Sequence, residues 1–223
     1  MSLATAKHEL FQHFARIGKA TSSPARLELL DLLAQGEKTV ETLARQAGLS
    51  VTNTSNPLRE LRTSGLASNR KEGLHVYYRL ADPAVHDFLR CLEEIAHRQL
   101  AEVREIVREY FQEPESLEPV GMDELLERIR MDDVVVLDVR PEDEYLAGHI
   151  PGALSVPVKE VERHLGELPP HKEVVAYCRG PYCVLSVKAV EILRARGIRA
   201  RRLQEGLPDW RGRGLQVAVG PGG

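Results

Sequence analysis

The sequence is poor in cysteine, with three in 223 residues, too few for the disulfide framework of a small secreted fold. In a reducing compartment such thiols are expected to be free, catalytic or sensing. The opening stretch MSLATAKHELFQHFARIGKA lacks the apolar centre and small-residue cleavage site of a secretory signal. The longest aliphatic run, Val134 to Leu137, falls far short of the ~20 residues that cross a bilayer. A cytoplasmic chain without membrane contact is the expectation. A strong charge of one sign is also missing. Net charge is −3, residues 1–111 hold 15 Lys/Arg against 14 Asp/Glu, and residues 112–223 hold 15 against 19. Overall charge therefore draws no nucleic acid, and any such contact has to come from a local basic patch. No internal repeat is visible.

What remains is an ordinary globular composition, 43% hydrophobic and 28% charged, in a chain longer than a usual domain of ~100 to 150 residues. Two domains are expected. The segment Gln112 to Pro119, QEPESLEP, has two prolines, three glutamates and no apolar periodicity, so it is read as a linker at 112–119. Residues 1–111 and 120–217 form the domains, and 218–223, ending in GPGG, are expected as a disordered tail.

The first domain reads as mainly helical. Leu10, Phe11, Phe14 and Ile17 line one face of a helix from about Ala6 to Ile17. Ser23 before Pro24 reads as an N-cap with proline at the first helical position, opening a helix to Gly36. Thr39 caps a short helix ending at Gly48, and Ser50 caps another that runs to Gly65. The period then changes to that of strands: LASNR, a KEG turn with Gly73 where positive φ is wanted, and LHVYYRL form a hairpin. Pro83 to Phe111 reads as one long helix, about 44 Å at 1.5 Å per residue, more than so small a domain can cover. A partner chain is expected on the remainder.

The second domain alternates strand and helix. Strands are expected at Val134–Val139, Leu154–Val156, Glu173–Tyr177 and Ile198–Leu203, with a helix carrying Val187, Val190, Ile192 and Leu193 between the last two. This βαβ pattern predicts an α/β fold with a central parallel sheet. Cys178 lies where a strand ends, and the loop CRGPYC leads to the next helix. A thiol there meets backbone amides and a helix N-terminus, which favour the thiolate. The bland alternative is a buried strand-end cysteine.

Two short helices joined at Gly48 and Leu49, followed by a basic hairpin, form the pattern of a winged helix-turn-helix. LARQAGLS, LRELRTSGL and KEGLHVYYRL together resemble the ArsR-type repressors over nearly all of residues 1–111. The resemblance implies a homodimer, through the first and last helices of that domain, on a double-stranded DNA operator. The helix from Ser50 to Thr63 would enter the major groove, with Thr52, Asn53, Ser55 and Asn56 on base edges and Arg59, Arg70 and Lys71 on phosphates. The alternative is that these are solvated polar faces. Pro57 sits inside that helix, where it removes a donor and crowds the Asn53 carbonyl at about 3 kcal/mol or more. The helix is expected to kink or start later.

The family's metal-sensing positions are not kept. The helix ETLARQAG has no cysteine, and of the zinc ligands only His86 and His97 remain, with Ala84 and Leu100 in place of the others. No metal and no cofactor are expected. Cys91, without a second cysteine in its domain, is read as a small buried hydrophobe.

In the second half, LDVRPEDEYLAGHIPGALSVP, YCRGPYC and LQEGLPDWRGRGLQV resemble the rhodanese domain across residues 120–217. The resemblance implies sulfur transfer. Cys178 would take a sulfane sulfur from a donor, hold it as a persulfide against the loop of Arg179, Gly180, Pro181, Tyr182 and Cys183, and pass it to a thiol acceptor. Asp138, Arg140, Glu144 and His149 match the framework motif and are read as structural, with Arg140 and Glu144 pairing at helical spacing. Trp210 is expected over the core near the loop. The loop departs from the family in having Pro181 where glycine is common and Cys183 where a terminal arginine is common. That weakens anionic donors, although Arg179 could supply some charge. Two sulfurs at the ends of one loop can instead form a disulfide, a polysulfide bridge or an arsenite chelate.

Three functions follow. The leading one is a transcriptional regulator that couples sulfur or redox chemistry at Cys178 and Cys183 to DNA binding. The others are a sulfurtransferase whose winged helix serves dimerisation, and an arsenite-binding regulator. Whether the chain is an enzyme stays open.

Overall fold

A computed structural model describes residues 2–111, 119–169 and 171–222. The chain divides into two compact units, residues 1–93 and 94–223. Of the expected linker at 112–119, residues 112–118 lie outside the described residues.

Helix α1 (Leu3–Thr21) opens where Ser2 Oγ accepts from the Thr5 amide at 3.2 Å. It is longer at both ends than its apolar stripe suggests. Helix α2 (Pro24–Ala34) starts on its proline, but the Ser23 side chain makes no cap bond. The fixed φ of Pro24 suffices to open the helix without it. The expected caps on the next two helices are present. Thr39 Oγ1 accepts from the Thr42 amide at 3.2 Å ahead of α3 (Val40–Gln46), and Ser50 Oγ from the Asn53 amide at 3.1 Å ahead of α4 (Val51–Thr63). Strand β1 (Lys38–Thr39) was not foreseen, since two residues carry no periodicity. It pairs with β3 (His75–Leu80), which pairs in turn with β2 (Ala67–Glu72), giving an antiparallel sheet ordered β1-β3-β2. Gly73 takes φ +60 in the tight turn of that hairpin. Leu29, Leu30, Leu43, Leu58, Leu61, Leu66 and Tyr78 close the core between helices and sheet.

Two helical expectations change. α4 does not start late, and Pro57 stays inside it. Thr54, Leu58 and Leu61 are fully buried on both sides of the proline, so tertiary packing offsets the lost backbone bond. The long final helix is two, α5 (Ala84–Gln99) and α6 (Ala101–Tyr110), separated at Leu100, whose φ −103 and ψ 119 are extended. The end of α5 is satisfied by Arg104, whose Nη1 donates to the Arg98 carbonyl at 2.8 Å.

The second unit follows with α7 (Met122–Arg130), β4 (Val134–Asp138), α8 (Glu142–Ala147), β5 (Leu154–Ser155), α9 (Val161–His164), β6 (Glu173–Tyr177), α10 (Val184–Ala195), β7 (Ala200–Arg202) and α11 (Leu207–Gly212). The strands form the expected parallel sheet, ordered β5-β4-β6-β7. Alternation along β6 sorts its side chains onto two cores. Val174, Ala176 and Cys178 join Ala189, Val190 and Leu193 of α10 on one face. Val175 and Tyr177 join Val134, Val136, Leu207 and Trp210 on the other. Trp210 thus covers the face opposite Cys178. Beyond Val217 the chain, expected as a disordered tail, still pairs: Ala218 exchanges backbone hydrogen bonds with His149 at 2.9 Å, and the Gly220 amide donates to Leu146 at 3.0 Å.

Candidate functional site

Helix α4 separates its residues by role. Thr54, Leu58 and Leu61 face the core, while Thr52, Asn53, Ser55, Asn56 and Arg59 are exposed on the other side. Not all of these groups are equally available. Ser55 Oγ donates back to the Val51 carbonyl at 2.8 Å, and Arg59 Nη2 donates to Asn56 Oδ1 at 2.7 Å. On the hairpin Lys71 is exposed. Arg70 is engaged: Nε donates to both Glu37 carboxylate oxygens at 2.9 Å, Nη1 pairs with Glu72, and the guanidinium lies 4.5 Å from the Tyr77 ring centroid. Hydrogen bonds to Glu37 first and Glu72 second hold it above the ordinary arginine range. A phosphate at Arg70 would compete with two carboxylates.

The loop after β6 carries the reactive sulfur. Cys178 is 1% exposed and its Sγ is bonded to that of Cys183, the residue that caps α10, with the two Cα atoms 6.2 Å apart. Between them the chain turns on a bond from the Cys183 amide to the Gly180 carbonyl at 3.2 Å. Cys183 is partly exposed. Gly206 presses on the loop from below, since a Cβ built there would lie 2.0 Å from the Arg179 carbonyl oxygen. Glycine at 206 is therefore a matter of space, its φ of −112 being open to any residue.

Arg179 is tied to a buried carboxylate. Its Nη2 and Nε donate to the two carboxylate oxygens of Glu144 at 2.7 and 3.1 Å, and Glu144 is fully buried. Arg140, expected to pair with Glu144, feels the Glu144 charge and is also gripped by Asp138, through Nε to Oδ1 at 2.9 Å and Nη2 to Oδ2 at 2.6 Å. Tyr177 donates to the same Asp138 Oδ2 at 2.5 Å and accepts from the Ile150 amide at 3.1 Å. Burial, then the neighbouring Asp138 charge, push the Tyr177 phenol well above its usual range. His149 stacks on Tyr145 with ring centroids 3.7 Å apart. Of these residues Glu144 touches the loop itself, through Arg179.

Residues 23–69 match the arsR family of bacterial regulatory proteins, and residues 121–213 match the rhodanese-like domain. The chain is 41% identical over 214 residues to the HTH-type transcriptional regulator Rv0324 of Mycobacterium tuberculosis, covering 96% of this chain and 94% of that one. The chain belongs to the arsR family. This arsR-family chain is thus a DNA-binding transcriptional regulator of the winged helix-turn-helix type with a rhodanese-like domain. It is also 33% identical over 92 residues to a sulfurtransferase of Allochromatium vinosum, covering 41% of this chain and 84% of that one. Among solved structures, the homodimeric winged helix-turn-helix domain of Mb0332 from Mycobacterium bovis is 38% identical, covering 43% of this chain and 89% of that one, with a TM-score of 0.41.

Several features of the regulator escape a linear reading. Arg16, Lys19 and Arg26 border the same cleft of ≈ 590 Å³ as Asn56, Arg59 and Thr63, so basic residues some forty positions away flank the exposed side of α4. Arg26 is spent on Glu60 and on the Ala20 carbonyl. Cys91 is exposed, not buried, on the face of α5 that also exposes Phe88 and Ile95. Among the described residues no group of three or more His, Cys, Asp or Glu gathers to hold a metal. No helix among them is long and apolar enough to cross a membrane. Arg202 was missed as well, although a charge at an inward position of a short buried strand is a visible signal.

Proposed function

We propose that this regulator reads sulfur or redox chemistry at Cys178 and Cys183 and converts it into a change in DNA affinity. The observation that carries the reading is the bond between the two sulfurs across one short loop, with Cys178 buried and Cys183 partly exposed. An incoming thiolate attacks the accessible Cys183 sulfur, and Cys178 leaves as the thiolate at the N-terminal end of α10. A second thiol then attacks the sulfur of the first and frees Cys183, so that the two reductant thiols leave joined as a disulfide, having given up two electrons and two protons in all. In the reverse direction a two-electron oxidant such as diamide restores the bond, or Cys183 attacks the Sγ of a Cys178 persulfide and the outer sulfur leaves as hydrosulfide.

DNA contact is assigned to Thr52, Asn53, Ser55 and Asn56 on base edges, with Arg59 and Lys71 on phosphates. Arg70 joins them only where a phosphate displaces Glu37. The protein acts as a homodimer through α1 and α5, whose exposed Phe11, Phe14, Phe88 and Ile95 are apolar surface that a second copy would cover.

The test combines intact-mass measurement with binding to a duplex from the protein's own upstream region. Polysulfide or diamide treatment is expected to alter the wild-type mass and change DNA affinity about tenfold. Cys178→Ser and Cys183→Ser are expected to bind DNA without that response. Equal affinity of treated and reduced wild type would remove the reading. A second reading, transfer of sulfur through a Cys178 persulfide, is favoured by the likeness to the Allochromatium sulfurtransferase. It predicts turnover with thiosulfate or polysulfide that Cys178→Ser abolishes. Arsenite bridging both thiols is separated from these by its mass increment.

A further inference from the structure

Arg202 ends β7 on the face of the sheet that carries Cys178. The register pairs it with Ala176, two residues before the cysteine. An apolar residue belongs at that position, yet a guanidinium stands there only 4% exposed. Among the described residues its partners are two backbone carbonyls. Nη1 donates to Pro181 at 3.0 Å, inside the cysteine loop, and Nη2 donates to Phe111 at 2.6 Å, the residue that closes α6. A second contact joins the same two places independently: the Phe111 and Tyr182 rings meet edge to face, centroids 5.9 Å apart and planes at 80°. All four residues lie within the unit 94–223.

The chemistry of each end suits this bridge. The last carbonyls of a helix lack intrahelical donors and carry the negative end of its dipole, so a buried cation there satisfies both. Pro181 and Tyr182 sit between the two bonded cysteines, so their placement depends on whether the sulfur bond is closed. We propose that the closed loop forms a seat for the last turn of α6, with Arg202 as the positioning residue, and that opening the Cys178–Cys183 bond releases α6. The inference rests on the reading of these cysteines as a reversible pair. It adds the route by which the loop reaches the helix that continues from α5. Opening uses a dithiol reductant: its thiolate attacks Cys183, Cys178 departs as thiolate, and its second thiolate frees Cys183, leaving the reductant as a cyclic disulfide.

The test is hydrogen exchange on the full chain, oxidised with diamide or reduced with dithiothreitol, with intact mass confirming the gain of two hydrogens. Amides in the last turn of α6 are expected to exchange about tenfold faster on reduction, while those of β6 and α10 change little. In Arg202→Gln and Tyr182→Leu the oxidised form is expected to exchange already at the reduced rate. By linkage, the thiol–disulfide equilibrium in dithiothreitol buffer shifts toward the dithiol by a similar factor. If Arg202→Gln loses protection in β6 and is thus unfolded, Tyr182→Leu alone decides. Unchanged α6 exchange in a wild type whose mass shows the bond open overturns the seat and leaves the redox reading standing. So does a wild-type response in the folded variants. A bond that dithiothreitol never opens removes both.

Discussion

Under the cysteine loop, single residues carry disproportionate weight because they are buried and charged. Asp138 and Arg140 are both fully buried and bonded to one another, and Tyr177 donates to the same carboxylate. Removing the Asp138 charge strips the buried Arg140 of that ion pair. Asp138→Asn is therefore expected to lower stability by about 3 to 5 kcal/mol in urea unfolding. Tyr177→Phe, which deletes the bond to Asp138 and the acceptor of the Ile150 amide, is expected to lose about 1 to 3 kcal/mol. Gly206→Ala acts differently. Its methyl meets the Arg179 carbonyl, and the overpacking is expected to cost about 1 to 3 kcal/mol while displacing the loop. A shift in the reactivity of Cys183 toward dithiothreitol, at unchanged helicity, would register that displacement. Cys178 and Cys183 were legible from sequence as candidates. The loss of Arg179 to Glu144 was not, because the partner lies thirty-five residues away and only the fold brings it to the loop.

At the scale of elements, α4 sets local preference against packing. Pro57 lacks the donor that an interior helical residue supplies, and its neighbours Thr54, Leu58 and Leu61 hold the helix on the core. Pro57→Ala is expected to raise stability, by up to about 3 kcal/mol, in thermal or urea unfolding. At β6, Glu173 receives Arg128 Nη1 and, at 3.2 Å, Arg201 Nε. Burial alone would raise its carboxyl, but the bond from Arg128 and the charge of Arg201 outweigh it and hold the pKa below the usual 4.5. A carboxylate lowered in the folded state stabilises fully above its unfolded pKa, and that contribution disappears as pH falls through the folded value. Glu173→Gln is thus expected to flatten the acid limb of a stability profile below about pH 4.5. Caps at Thr39 and Ser50 could be read directly, since capping is local chemistry. The break at Leu100 could not, because α5 and α6 share one continuous apolar period and the carbonyls at the break are claimed by Arg104.

For the whole molecule the exposed apolar surface is the issue. Phe11 and Phe14 are 59% and 61% exposed, and they touch one another edge to face at 5.8 Å on α1. Phe88 and Ile95 add a second exposed apolar stripe on α5. A chain that regulates transcription as a dimer would cover these. Phe14→Asp is expected to shift the protein from dimer to monomer in sedimentation equilibrium and to weaken DNA binding at least tenfold, while leaving the Cys178–Cys183 reaction intact. Loss of the dimer without loss of the thiol reaction would also show that the loop chemistry belongs to a single chain.

Local sequence was enough for the two-domain plan, the winged helix-turn-helix and parallel sheet, the capped helices, the hairpin turn at Gly73 and the placing of two cysteines at the ends of one loop. Each of these is written in nearby residues: in periods of 2 and 3.6, in caps, and in motifs with short internal spacing. Tertiary structure decided which charges are free and which are spent. Arg179 belongs to Glu144, Arg140 to Asp138, and Arg70 to Glu37. It also decided that Arg202 joins the loop to the end of α6. Ion pairs form between residues distant in sequence, at a burial that no local pattern records, and the energy of a charge depends on that burial more than on its neighbours in the chain.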